Sequence, residues 1–130
     1  MLSKVRGRMD SVYDLYRSGC ELLDHGDYQA AILPLTRARK LEPDKASIRE
    51  ALGRALFHAQ RYEDAAAEFS RVAAQAPTND YALFCLGRAM QQLGRHEEAR
   101  RPLALACSLR PERSDYRVYR ERSLRAVHGL

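Results

Sequence analysis

Residues 80–113 have the sequence DYALFCLGRAMQQLGRHEEARRPLALACSLRPER, and a similar 34-residue pattern occurs at 12–45 and again at 46–79. A fourth copy begins at residue 114. Position 8 of the pattern is Gly in all three complete copies, position 20 is Ala, and position 32 is Pro. The residues at these positions are Gly19, Gly53, Gly87, Ala31, Ala65, Ala99, Pro43, Pro77 and Pro111. Such a repeat predicts a stack of similar units, because one unit cannot bury its own apolar face.

Each copy contains two segments in which apolar residues recur at spacings of three and four, separated by a break at Gly26, Gln60 or Gly94. This spacing predicts two helices joined by a turn. We expect helix A at positions 1–14 and helix B at positions 17–29 of each copy. Position 4 is Leu in the first and third copies, but it is Arg49 in the second. Because Gly at position 8 and Ala at position 20 are small, we expect helices A and B to approach each other closely there.

The residues just before the predicted A helices have side-chain oxygens. These residues are Asp10, Asp44 and Thr78, which are themselves 34 residues apart. A side-chain oxygen at this place can accept a hydrogen bond from the exposed N–H groups of the first helical turn. We therefore predict that these residues cap the three A helices, and that Glu112 or Ser114 caps the helix that begins the fourth copy.

This pattern resembles that of the tetratricopeptide repeat, whose signature has an aromatic residue or Leu, then Leu-Gly, then Tyr, Ala, Phe and Pro at these offsets. The resemblance covers residues 12–113. It implies an all-α fold, an α-solenoid of three helix-turn-helix hairpins that forms a right-handed superhelix, with the hairpins at 12–45, 46–79 and 80–113. Residues 114–130 are predicted to be a C-terminal capping helix and tail, since the end of a solenoid needs a polar outer face.

The net charge of +5 is concentrated at the two ends of the chain. Residues 1–11 form a basic N-terminal extension of charge +2, residues 114–130 contribute +2, and residues 12–113 contribute only +1. The extension lacks the apolar stretch of a secretory signal, and no apolar run approaches the ~20 residues that span a bilayer. Three cysteines, an odd number without metal-ligand spacing, favour reduced thiols. We therefore expect a cytoplasmic protein that does not interact with membranes.

Catalytic and cofactor-binding motifs are absent from the sequence. The four histidines fall at unrelated positions of the repeat, and no His-Glu-x-x-His, Gly-rich phosphate loop or nucleophile elbow occurs. The acidic residues lie at spacings typical of solvated ion pairs on helix surfaces. We therefore predict that the protein is not an enzyme and that it requires neither a metal ion nor another cofactor.

In the family that this chain resembles, the A helices line a concave groove, and positions 2, 5, 9 and 12 point into it, with positions 6 and 13 beside them. The resemblance implies a partner-binding site composed of Tyr13, Tyr16, Arg17, Cys20, Glu50, Arg54, Phe57, His58, Tyr81, Phe84, Arg88 and Gln91. Tyr and Arg are frequent at binding hot spots, and a guanidinium suits a carboxylate. This lining predicts a protein or peptide segment as the partner, with an acidic residue or a C-terminal carboxylate. Alternatively, the aromatic rings pack between neighbouring A helices, and Arg54 and Arg88 pair with Glu50 or Asp24.

Some members of this family hold the acidic tail of heat-shock chaperones with a clamp of Lys, Asn, Asn, Lys and Arg at five set positions. In this chain none of the five positions carries the required residue; they are Tyr16, Cys20, Ala51, Tyr81 and Cys85. We therefore do not expect binding of a heat-shock chaperone tail.

Two alternative functions remain open. The protein can be a self-associating structural module, a homo-oligomer formed through its N-terminal repeat or through an exchanged terminal helix. It can also associate with nucleic acid through its basic ends, which would make its affinity depend steeply on salt. The near-neutral charge of residues 12–113 makes nucleic acid the least favoured partner.

Overall fold

The computed structural model describes residues 11–129, which form seven α-helices and no strand. The helices are α1 (Val12–Asp24), α2 (Tyr28–Leu41), α3 (Ala46–His58), α4 (Tyr62–Gln75), α5 (Asp80–Gln92), α6 (His96–Leu109) and α7 (Ser114–Val127). The odd-numbered helices are the predicted A helices and the start of the fourth copy. Apart from Ser11, the predicted N-terminal extension lies outside the described residues, as does Asp10.

The helices group into two compact units, with the boundary between Arg61 and Tyr62. In the first unit, α2 packs against both α1 and α3, and α1 also contacts α3. In the second unit, α5 packs against α4 and α6, and α6 packs against α7. Each unit therefore has its own core, built from consecutive helices. None of the described helices is both long and apolar enough to cross a membrane.

The close approach expected at position 8 is confirmed at two glycines. A Cβ atom on Gly19 would lie 2.4 Å from the Cγ atom of Leu35, and one on Gly87 would lie 2.4 Å from the Cγ atom of Leu103. Both leucines are completely buried and occupy position 24 of the repeat. The space left by the glycine on helix A is therefore filled by a leucine of helix B in the same hairpin.

The predicted caps are wrong, because the residue that precedes each A helix is one position later in the chain. The Ser11 hydroxyl accepts a hydrogen bond from the Asp14 N–H at 3.2 Å, and the Asn79 side chain accepts one from the Ala82 N–H at 3.1 Å. Lys45 precedes α3 without a side-chain cap.

The helix that begins the fourth copy also departs from the predicted capping. Arg113 precedes α7, and its side chain makes no cap hydrogen bond. Glu112 is therefore outside the cap position, and Ser114 is the first helical residue.

Candidate partner-binding face

Helices α1 and α3 are joined by the side chain of Tyr16. It packs against the buried cluster of Leu15, Ala38 and Ile48, and Cys20 on α1 and Ser47 on α3 lie near its hydroxyl. Burial, followed by the neighbouring Cys20 side chain, raises the pKa of the Tyr16 hydroxyl. Tyr16 therefore lies at the contact between the two A helices of the first unit.

One stripe of α3 lies beside this contact. Ser47, Glu50, Arg54 and Phe57 are separated by three or four residues and therefore share one side of the helix. Ser47 and Arg54 are exposed, and Glu50 and Phe57 are half-buried. We name this stripe, together with Tyr13, Tyr16 and Cys20 of α1, the A-helix face.

The charged side chains of the A-helix face are the half-buried Glu50 and the exposed Arg54. The guanidinium of Arg54 makes no hydrogen bond or ion pair with any residue in 11–129, so Arg54 does not form the alternative pairing with Glu50 or Asp24. By contrast, the Nε atom of Arg17 donates to Glu21 at 3.2 Å. Arg54 is therefore a cation that can accept an external carboxylate without first breaking an internal pair.

Aromatic surface accompanies Arg54 in the first unit. Tyr13 is 67% exposed and Phe57 is half-buried. The ring of His58 is stacked on Tyr28, with a centroid separation of 4.4 Å, and meets Phe57 edge to face. His58 therefore packs against two aromatic rings of its own unit.

A cleft of about 320 Å³ opens between the N-terminal ends of α1 and α3. Its lining residues are Val12, Tyr13, Tyr16, Glu42, Lys45, Ser47 and Ile48. The predicted site includes the two tyrosines, and Ser47 occupies position 2 of the repeat, one of the positions that the family resemblance directs into the groove. Lys45 and Glu42 belong to the loop before α3, where the repeat pattern predicts no surface role, so only their contacts in the folded chain identify them.

In the second unit, α7 covers most of the predicted site residues. The Nε2 atom of Gln91 donates to the carbonyl oxygen of Tyr119 at 2.6 Å and to the hydroxyl of Ser123 at 2.7 Å. Phe84 is only 7% exposed and stacks on Tyr116, with ring centroids 4.5 Å apart. These side chains therefore hold α5 and α7 together.

Arg88 differs from Arg54, although the two residues occupy the same position of the repeat. The guanidinium of Arg88 lies over the ring of Tyr119, 4.8 Å from its centroid, and is half-buried. Tyr81 keeps 37% of its surface and meets Phe69 edge to face. Of the four predicted site residues in this unit, Tyr81 is the most exposed.

A partly buried hydrogen bond also holds α7 against α5. The hydroxyl of the fully buried Tyr116 donates to Oδ2 of Asp80 at 2.6 Å. Burial is the main cause, and this bond the second, of a strongly raised pKa at Tyr116. Ser123 occupies position 10 of the fourth copy, and Ala55 and Ala89 at the same position of earlier copies are buried. The repeat pattern therefore indicates that this side of α7 is buried.

Within residues 11–129, no group of three His, Cys, Asp or Glu side chains is placed to hold a metal ion, and no disulfide is present. Two tetratricopeptide repeat models match the chain, one over residues 16–80 and the other over residues 56–117. This chain belongs to the tetratricopeptide repeat family. The expected fold class, an all-α helical repeat of the solenoid type, is thereby confirmed, and proteins with these repeats serve as protein-interaction modules.

Solved tetratricopeptide repeat structures are similar to this chain along most of its length. MamA MSR-1 has a TM-score of 0.83 and 25% identity, over 91% of this chain and 68% of that chain. A MamA RS-1 double mutant has a TM-score of 0.86 and 26% identity, over 91% of this chain and 66% of that chain. This chain thus spans about two thirds of the length of these MamA chains. A search of curated proteins gives no match.

A third similar structure was solved with a peptide. It is the first tetratricopeptide repeat domain of Spaghetti (RPAP3), bound to the HSP90 peptide SRMEEVD, and it has a TM-score of 0.84 over 90% of this chain and 93% of that chain. The two sequences are 19% identical, so the likeness concerns the fold alone.

Proposed function

We propose that this tetratricopeptide repeat protein is a non-catalytic adaptor that binds a peptide or protein segment on the A-helix face, with a carboxylate of the partner at Arg54. The observation that carries the proposal is the exposed guanidinium of Arg54, which has no partner within residues 11–129. A guanidinium binds a carboxylate through two parallel hydrogen bonds, which supplies both energy and orientation. The partner can present this group as an acidic side chain or as its C-terminus.

The surroundings of Arg54 favour a segment over an isolated anion. Tyr13 is largely exposed, and Phe57 offers part of its ring on the same face. Aromatic and Arg side chains together are the usual anchors of protein interfaces. Phe84, Arg88 and Gln91 contact α7, so the proposed surface consists of residues on α1 and α3.

Self-association through the first repeat gains no support from α1. Position 10 of the repeat is Glu21 on this helix and is 60% exposed, whereas Ala55 and Ala89 at the same position are completely buried. A carboxylate where later A helices carry a buried methyl group does not provide the apolar surface that a stable contact between copies needs.

The test uses displayed random heptapeptides selected on the immobilised full chain. Selected sequences are then made with a fluorescent label, and their affinities are measured by anisotropy for the native chain, Arg54→Glu and Arg37→Glu. Arg37 is a matched control, because it is also an exposed arginine of the first unit without a partner in 11–129, but it lies on α2.

We expect selected peptides to be acidic and to lose at least tenfold in affinity with Arg54→Glu but not with Arg37→Glu. Failure to select any peptide, or equal affinities for all three proteins, would refute the proposal.

A further inference from the structure

We infer that the solvent side of α2 binds an acidic amphipathic helix of a second partner. The contact is made through Leu33 and Leu41, with Lys40 beside them, and we name these three residues the α2 ridge. The ridge lies on a B helix and is separate from the A-helix face. The inference is therefore independent of the proposed function and extends it, because a protein that binds a partner on each surface joins the two.

The two leucines of the ridge are unusually exposed for apolar side chains. Among residues 11–129 they are the most exposed leucines, at 58% for Leu33 and 56% for Leu41. Together with Arg37 between them they form a row with a spacing of four residues along the helix. The buried Ala31 and Leu35 lie on the opposite side. Rows of this spacing are the ridges that pack into grooves on the surface of another helix.

The fold does not require leucine at these places. Position 22 of the repeat is Leu33 in α2 but Ala67 in α4, and position 30 is Leu41 in α2 but Gln75 in α4. Ala67 and Gln75 are exposed, so α4 forms the same kind of helix without an apolar row on its solvent side. Exposed apolar surface with a polar rim is typical of an interaction site. The leucines of α2 are therefore available to a partner.

The charge of α2 favours an acidic partner. The helix contains Arg37, Arg39 and Lys40 and no acidic residue, and the nearest acids in the sequence, Asp27 and Glu42, lie just outside its two ends. The other two B helices each begin with two exposed acids, which are Glu63, Asp64, Glu97 and Glu98. Complementary charge speeds association and excludes partners of the wrong sign. Glutamate on a partner helix is therefore favoured beside Lys40 and disfavoured on α4 and α6.

The separation of the leucines sets the length of the partner. Leu33 and Leu41 are eight residues apart, which corresponds to about 12 Å along the axis at ~1.5 Å per residue. A helix that contacts both needs more than two turns, and isolated helices shorter than ~12–15 residues are marginal in water. The expected partner is thus a segment of about 15 residues that becomes helical on binding, with apolar side chains at i, i+4 and i+7 and acidic side chains beside them.

The experiment uses displayed peptides of about 16 residues, long enough to form a helix, selected on the immobilised full chain. The helical pattern is fixed, with Leu or Ala at the apolar positions and Glu, Gln or Lys beside them. Selected peptides are labelled, and their affinities are measured by anisotropy for the native chain, for Lys40→Ala and for Leu33→Ala combined with Leu41→Gln. This leucine variant carries the residues of α4 at both positions.

The matched control is Leu105→Ala combined with Leu109→Gln. It removes two exposed leucines from α6, a B helix whose solvent side begins with acids. Circular dichroism verifies that each variant keeps its helices.

We expect the selected peptides to be acidic, with Leu at the apolar positions. Their affinity should fall at least about tenfold in the leucine variant, since the apolar area of two side chains is no longer buried, and should not change in the control. Lys40→Ala should weaken peptides with Glu about two- to fivefold and leave their Gln versions unchanged. Failure to select a peptide, selection of peptides without acidic residues, or equal affinity for the native chain and the leucine variant overturns the inference.

Two other occupants of the α2 ridge are distinguished by separate measurements. If the native chain sediments with vesicles of phosphatidylserine and phosphatidylcholine and the leucine variant does not, the ridge binds a membrane surface and the inference is wrong. If light scattering shows native dimers that the leucine variant dissociates, the ridge binds a second copy of the chain and the inference is also wrong. A monomeric native chain that leaves the vesicles alone and binds the acidic helix supports it.

The result is separable from that for the proposed function. A heptapeptide is too short for a stable helix, so the peptides selected for Arg54 do not report on the α2 ridge. If the longer peptides lose affinity with Arg54→Glu and keep it with the leucine variant, they bind the A-helix face. In that case the inference fails while the adaptor function stands.

Discussion

The Nε atom of Arg49 donates a hydrogen bond of 2.6 Å to the carbonyl oxygen of Pro43, across the loop between α2 and α3. Arg117 makes the same contact at the start of α7, where its Nη1 atom donates to the carbonyl oxygen of Pro111 at 2.7 Å. Both arginines occupy position 4 of the repeat, and both prolines occupy position 32 of the preceding copy. Arg49, which breaks the apolar pattern at position 4, thus holds α3 against the loop that precedes it.

We predict that Arg49→Ala lowers the free energy of unfolding by about 2 kcal/mol. The variant loses a charge-assisted hydrogen bond and the packing of a side chain that is only 8% exposed. Urea denaturation measures the change, and Arg37→Ala is the control, because this exposed arginine has no partner within residues 11–129. Equal stability of the two variants would show that the bond to Pro43 contributes nothing.

Substitution of Gly87 by Ala should destabilise the second unit by about 1–3 kcal/mol. The new methyl group would overlap the buried Leu103, so one of the two helices must shift. Leu103→Ala removes the overlap, and the double variant should therefore lose less stability than the sum of the two single changes. Additive losses in thermal or urea unfolding would contradict the contact between position 8 and position 24.

The bond between Tyr116 and Asp80 predicts a pH dependence of stability. The pKa of Tyr116 is raised in the folded chain above its ordinary value of 10.0, so the folded state holds this proton more tightly than the unfolded state does. Its stabilisation is fully present below about pH 10 and is lost as the pH rises above that value. Tyr116→Phe should show a smaller loss of unfolding free energy between pH 8 and pH 11. The same slope in both proteins would assign the loss to other groups.

Charge reversal should have different consequences at the two arginines of position 9. Arg88→Glu places a carboxylate over the ring of Tyr119 and is expected to lower the free energy of unfolding by about 1–2 kcal/mol. Arg54→Glu, at an exposed site, should change it by less than about 0.5 kcal/mol. Chemical denaturation of the two variants tests this contrast. If Arg88→Glu is as stable as the native chain, the contact with Tyr119 contributes nothing to the free energy of unfolding.

The sequence predicted the helices closely, because their boundaries depend on local patterns. Residues 114–130 are predicted to be a capping helix and tail, and α7 occupies Ser114–Val127 within this segment. Gly26 and Gly94, which lie at the predicted breaks between helices, have positive φ angles of 80° and 75°, which glycine adopts without steric cost. The exact capping residues were not predictable, because a shift of one residue hardly changes the apolar pattern.

Whether a candidate site residue is exposed or covered depends on contacts between parts of the chain that are far apart in sequence. Arg54 and Arg88 are equivalent in the repeat, and nothing in their local sequences distinguishes them. Gln91 meets Ser123 across 32 residues, and Tyr116 meets Asp80 across 36 residues. A periodic pattern specifies which side of a helix is apolar but not which later helix covers its polar side.

By itself, the sequence determined the all-α repeat, the order of the helices and the small residues at their crossings, because these follow from a period that local chemistry imposes. The tertiary structure alone decided that α7 covers Phe84, Arg88 and Gln91, while Arg54 stays exposed on the A-helix face. The physical reason is that burial and pairing of a side chain depend on which residues of the folded chain surround it, and the repeat gives equivalent positions different neighbours.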